Sequence, residues 1–220
     1  MTFTKRIPAM AAIVLCTALA PAAAAAETGG AAFAPGSGDL DARPHALLGQ
    51  NLRIAGEASP NQTVVVQRLD DGAWVTEDEV TTDAKGEFVA RWRTNHIGVF
   101  ELRAVPASGN EVRAAQVVDT VQVTVYKPAQ ATWYGKGWYG RKTACGQTLS
   151  AKLMGVAHKT LPCGTKVAFL FRGKTITVPV IDRGPFGEGL DWDLTTAAAD
   201  KLGFLELGRV TLGAVSLRRG

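Results

Sequence analysis

Between residues 44 and 127 apolar and polar positions alternate in short runs: TVVVQRL from Thr63, EFVARWR from Glu87, VFELRAV from Val99 and TVQVTVY from Thr120. In the second run Phe88, Ala90 and Trp92 share one face while Val89, Arg91 and Arg93 share the other. A period of two is the pattern of half-buried antiparallel strands. Turn-forming clusters separate the runs, with SPNQ at Ser59, DDG at Asp70, DAKG at Asp83 and ASGN at Ala107. About seven short strands without a helical segment predict an immunoglobulin-like β-sandwich. No cluster of His, Asp, Glu or Ser in this stretch assembles into a site.

Lys127, Pro128 and Ala129 mark the expected boundary of a second domain over residues 128–220. It opens with ATWYGKGWYG, a strand-like start that breaks into glycines, and continues through expected strands at 154–158, 166–171, 174–181 and 209–217. One segment, TTAAADKLGF from Thr195, is helical in character: its interior is Ala-rich, Thr195 or Asp193 can cap its start, and Gly203 can end it. Strands with one short helix predict a small closed barrel, and the whole chain is expected to be all-β.

The start of the chain adds no element to this fold. Lys5 and Arg6 precede an apolar stretch, residues 7–20, then Pro21 and an alanine run to Ala26. This is the layout of a secretory signal over residues 1–26. Its apolar core is too short to span a bilayer, and no other stretch is long or apolar enough, so an exported, soluble product is expected. Residues 27–43, rich in Gly, Ala, Ser and Pro, read as a flexible linker.

Charge sharpens the contrast between the domains. The formal net charge of +4 conceals nine bases against eleven acids in residues 43–127, and thirteen bases against six acids in residues 128–220. A basic domain on an exported protein points to an anionic partner such as a wall polymer, and export makes nucleic acid the least apt choice. Cys16 lies in the signal, which leaves Cys145 and Cys163 to pair in an oxidising compartment. Only His158 lies near them, whereas a metal site would need further close ligands, so none is expected.

In order, the second domain carries ATWYG, TACGQTL, AHKTLPCGTKV, VPVIDRGPF and WDLTTAAADKLGF. These motifs, in this order and at this spacing, resemble the rare lipoprotein A family over residues 130–217. This is a double-psi β-barrel group that includes septal ring lytic transglycosylases and is related to expansins and barwin-like proteins. The resemblance implies a six-stranded double-psi barrel in a bacterial cell-wall protein, and several members cleave peptidoglycan as lytic transglycosylases. In that reaction a carboxyl group protonates the glycosidic oxygen. As carboxylate, the same group then deprotonates the muramic acid's own primary hydroxyl, which closes an anhydro ring.

Asp182 of DRGPF matches the family's functional aspartate and is expected to be the acid and base. On residues alone it reads as a turn aspartate bonding the amides that follow it. His158 of AHKTLP matches a family histidine and could orient Asp182 or bond a sugar. Asp193 of WDLT matches an aspartate used by bacterial expansins and by related endoglucanases, and it also suits a helix cap. Trp133, Tyr134, Trp138 and Tyr139 form an aromatic cluster of the kind that stacks on pyranose rings or packs a core. Trp133, Tyr134, Arg183, Asp193 and Gln147 are expected to contact substrate.

One position departs from the lytic members, which usually have Glu where this chain has Gln147. Glutamine keeps the shape and a hydrogen-bonding amide but cannot ionise. The expected function is therefore lytic transglycosylation by Asp182, with a non-catalytic, expansin-like wall binder as the alternative and hydrolysis by Asp182 with Asp193 as a third option. The expected partner is peptidoglycan or another wall polysaccharide. No metal or organic cofactor is expected, and the chain is expected to be a monomer.

Overall fold

The computed structural model describes residues 40–107 and 118–217. The expected signal and most of the expected linker lie outside them. Two antiparallel sheets form the first half. One contains β1 (Asp41–Ala42), β3 (Asn51–Glu57) and β6 (Glu87–Arg93) in the order β1-β3-β6. The other runs β5-β4-β7-β8, from β4 (Thr63–Asp70), β5 (Ala73–Thr81), β7 (Gly98–Pro106) and the long β8 (Val118–Tyr134), with β2 (His45–Leu47) parallel to β8.

The alternation read from the runs is the packing pattern. Leu52, Ile54, Phe88, Ala90 and Trp92 of one sheet meet Val64, Val66, Leu102, Val123 and Val125 of the other, all buried. Each large apolar side chain removed from water here contributes about 1.5–3 kcal/mol. The expected linker ends earlier than its composition suggested: Leu40 is buried in this core, and Asp41 and Ala42 pair with Ala55 and Ile54. A single large apolar residue at the end of a Gly- and Ser-rich stretch is enough to anchor it.

The alternation also turns Arg68 inward, where it is 2% exposed. Its Nε donates to Glu77 Oε1 at 2.6 Å, Asp70 Oδ2 lies 3.1 Å from Nη1 as an ion pair, and the guanidinium covers the Trp92 and Phe100 rings. The charge is thus paired on its polar rim and stacked on its faces.

The expected boundary at Lys127 to Ala129 is no break in the backbone. β8 runs through it, pairing first with β7 and then with β13 (Val210–Ser216) and β12 (Trp192–Thr195). β13 pairs with β8 at Pro128 while β12 joins only at Ala131, so one side of Pro128 has no barrel strand, the setting in which a missing N–H is tolerated. The buried cores nevertheless separate along β8, with Val125 in one and Ala129 in the other.

The second half closes on itself. Its strands also include β9 (Val156–Ala157), β10 (Lys166–Phe171) and β11 (Lys174–Asp182), in the order β12-β9-β11-β10-β13-β8, and β8 pairs back to β12. This is a six-stranded double-psi β-barrel around Phe169, Val178, Val180, Leu194 and Leu212. Its one α-helix among the described residues, α1 (Thr196–Leu202), packs Ala198, Ala199 and Leu202 into that core. Thr195, not Asp193, is the cap: its side chain accepts from the Ala198 amide, and Gly203 ends the helix at φ 88°.

Candidate functional site

Strand register brings the two aspartates together. Ala157 of β9 is the partner of Asp182 on β11 and of Asp193 on β12, so the carboxylates flank one residue from either side. Two inter-strand steps separate their backbones, roughly 10 Å. A bulge on β11 between Val180 and Asp182 breaks the alternation there. Val180 and Ile181 are both buried, and the half-buried Asp182 turns to the same cleft as Asp193. That cleft has a volume of about 450 Å³. Tyr134, Thr143, Asp182 and Asp193 line it, with Arg141, Lys142 and Arg183 supplying cations and Trp138 and Phe186 its aromatic edges.

Asp193 is a perturbed acid. Burial raises its pKa, the negative charge of Asp182 adds to the rise, and the hydrogen bond donated by Thr132 at 3.0 Å opposes it. The result is a carboxyl pushed up to about 6. Asp182 is held differently: the backbone amides of Ala144 and Arg183 both donate to its Oδ1 at 2.8 Å. The turn-aspartate geometry and the cleft position therefore coexist.

Tyr134 stands at the end of β8 and lines the cleft, two residues beyond the Thr132 that bonds Asp193. Its hydroxyl is buried, and the Asp182 carboxylate is its nearest polar influence. Desolvation and the nearby charges of Asp182 and Asp193 raise its pKa, so it keeps its proton. Gly135 makes the turn out of β8 at φ 153°, and a Cβ there would meet Thr196 Oγ1. That oxygen donates to the Tyr134 carbonyl and accepts from the Tyr139 hydroxyl. The Cys145–Cys163 disulfide joins the loop carrying Ala144 to the loop before β10.

Of the other expected site residues, Trp133, His158 and Gln147 lie outside this lining. Trp133, one position out of phase with Thr132 and Tyr134, packs against the barrel core. His158 does not reach Asp182 through its side chain: Nδ1 accepts from the amides of Thr160 and Leu161, and the ring packs on Trp192 at 4.5 Å. Its link to Asp182 is main-chain, His158 N to Asp182 O at 3.1 Å. Burial lowers the His158 pKa, with the Arg183 charge acting in the same direction. Arg183 borders the cleft, but its Nη1 donates to the Leu161 carbonyl at 3.0 Å and so braces the same loop. Gln147 is exposed, and its Oε1 accepts from the Thr143 hydroxyl.

Thr132, Arg141, Lys142 and Phe186 were not singled out by the sequence. Alternation back from Tyr134 would have identified Thr132, whereas the loop residues have no periodic signal. Among the described residues no group of three or more His, Cys, Asp or Glu could hold a metal ion. No helix among them is long and apolar enough to cross a membrane.

Fold and cleft define a double-psi barrel with a carboxylate pair at its rim, and similarity to known proteins narrows this. The family described as "Lytic transglycolase" matches residues 127–213, the span of this barrel, which is RlpA-like. The chain is 35% identical over 113 residues to the "Probable endolytic peptidoglycan transglycosylase RlpA" of Synechocystis sp., covering 50% of this chain and 35% of that protein. It is 42% identical over 101 residues to the "Endolytic peptidoglycan transglycosylase RlpA" of Pseudomonas aeruginosa strain UCBPP-PA14, covering 45% and 27%. The chain thus spans about a third of the length of these relatives. Among solved structures, a Clavibacter michiganensis expansin in complex with cellohexaose matches at TM-score 0.36 and 24% identity, over 42% of this chain and 50% of that one. Streptomyces papain inhibitor matches at TM-score 0.36 and 30% identity, over 41% and 93%.

Proposed function

We propose that this chain is an exported wall protein whose barrel cleaves peptidoglycan glycan strands by lytic transglycosylation, with Asp193 transferring the proton and Asp182 facing it across the cleft. The observation that carries the reading is the carboxylate pair flanking Ala157, one member of which has its pKa pushed up to about 6. A carboxyl poised near 6 is a competent donor near neutral pH and, once ionised, a competent base. The names of the RlpA relatives support the substrate.

Protonated Asp193 gives its proton to the glycosidic oxygen as the bond to the anomeric carbon breaks. The positive charge that develops on the sugar is stabilised by Asp182. Asp193, now a carboxylate, takes the proton of the muramic acid's primary hydroxyl as that oxygen bonds to the anomeric carbon. The anhydro ring closes, Asp193 is protonated again, and no water is consumed. Tyr134, which keeps its proton, can donate to a sugar oxygen or to Asp182. The motif match favoured Asp182 as acid and base; its Oδ1, already accepting two amides, and the burial of Asp193 favour the division proposed here.

Release of soluble fragments from purified sacculi tests this. Asp193→Asn and Asp182→Asn should each lower the rate by about 100-fold or more. Undiminished release by Asp193→Asn would refute the assignment. Binding without cleavage is the second reading, supported by Gln147 in place of the lytic members' Glu and by the exposed Trp138 and Phe186 rings. It predicts pelleting with sacculi and no release by the wild-type chain.

A further inference from the structure

The outer face of the β1-β3-β6 sheet carries its charges in blocks. Leu52, Ile54, Phe88, Ala90 and Trp92 point inward, so Arg53, Ala55 and Glu57 of β3 and Glu87, Val89 and Arg91 of β6 face outward. Register sets Arg53 opposite Arg91, Ala55 opposite Val89 and Glu57 opposite Glu87. Like charges directly across a strand pair destabilise it, and here this happens twice on one face. Among the described residues the one ion pair on this face is Arg53 with Asp41 at 3.8 Å, at the rim and largely exposed. Arg93, opposite Asn51, extends the positive end, and Val89 at the centre is 46% exposed.

We propose that this face binds a second copy of the chain about a two-fold axis that crosses the strands over the Ala55 and Val89 row. A half-turn about that axis reverses strand direction and keeps β3 over β3 and β6 over β6. Arg53 then stands over Glu57 of the second copy and Arg91 over its Glu87, and the reciprocal pairs form at the other end. Val89 meets Val89 on the axis. Each like-charge row, unfavourable alone, becomes half of an opposite-charge contact, which is the self-complementarity of an isologous interface. Sheets stacked face to face lie about 10 Å apart, a gap that Arg and Glu side chains together can span. A polyanion would be attracted by the arginine row and repelled by the glutamate row, whereas a second copy uses both.

The patch is only two to three strands wide, so the dimer is weak and sensitive to salt. Sedimentation of the full chain at increasing concentration decides the matter. Wild-type chain should associate at low ionic strength and return to monomer at high salt; a monomer throughout the low-salt series would overturn the proposal. Glu57→Arg with Glu87→Arg makes the face wholly basic, and Arg53→Glu with Arg91→Glu makes it wholly acidic. Each double variant alone should stay monomeric, while an equimolar mixture should associate at least tenfold more tightly than either alone. Association of each variant as strong as wild type, or no gain on mixing, would also overturn it. All four positions are exposed, and the wild-type salt series stands independently of the variants.

Discussion

The Thr132 hydroxyl donates to Asp193 Oδ1 at 3.0 Å from the position directly across the parallel β8 and β12 pair. This bond favours the ionised carboxylate, so it acts against the burial and the Asp182 charge that raise the Asp193 pKa. Thr132→Val removes the donor at nearly constant shape. The pKa should rise by about half a unit to one unit above its present value of about 6, and the alkaline limb of the pH–rate profile should move up with it. An unmoved limb would mean that Asp193 does not supply the proton.

Asp193 should also cost the fold stability. Its folded pKa of about 6 lies above the ordinary 3.8, so across that window the folded chain holds a proton the unfolded chain has released. Stability therefore falls as pH rises through the window, and the penalty is complete above it. Asp193→Asn should be more stable than wild type by about 1–2 kcal/mol at pH 7.5, allowing for solvent screening, and equal to it near pH 3.5. Urea midpoints at the two pH values measure the difference.

The Cys145–Cys163 bridge ties down both loops beside Asp182: one supplies the Ala144 amide, the other the carbonyl that holds Arg183. With the cysteines 18 positions apart, replacing both by Ser should lower stability by about 3 kcal/mol on the chain-entropy account. Glycan release should fall as well, because Asp182 loses a fixed neighbour. Reductant titration of the wild-type chain, followed by urea unfolding, checks the same point without substitution.

Phe186 is 88% exposed in DRGPF and borders the cleft. A ring so little buried holds nothing together, so Phe186→Ala should leave stability within about 0.5 kcal/mol of wild type. If the ring stacks on sugar, sacculus binding should weaken by up to about tenfold. Equal binding measured by pelleting would remove Phe186 from the substrate surface.

Much of this was legible in the chain itself. The alternation in EFVARWR gives β6 its bounds and its buried face, and the Ala-rich run between Thr195 and Gly203 is the helix. Asp182 and Asp193, both singled out by their motifs, line one cleft. What local pattern does not carry is what another segment decides. Pro128 looks like a boundary, yet it sits within β8 because β13 pairs it from one side only. Trp133 and Tyr134 are equally aromatic, but strand phase sends only Tyr134 to the cleft. His158 spends Nδ1 on the amides of its own loop, a local bond that its motif does not reveal. The meeting of two aspartates across Ala157 depends on β9 lying between β11 and β12, which is a property of barrel closure.

The chemical ends of the fragments released from purified sacculi test the central claim most directly. Mass spectrometry of a wild-type digest should show anhydro-muropeptide ends, and these should disappear with Asp193→Asn. Reducing ends in their place would show that water, not the muramic acid hydroxyl, attacks the sugar, and would contradict the transglycosylase account.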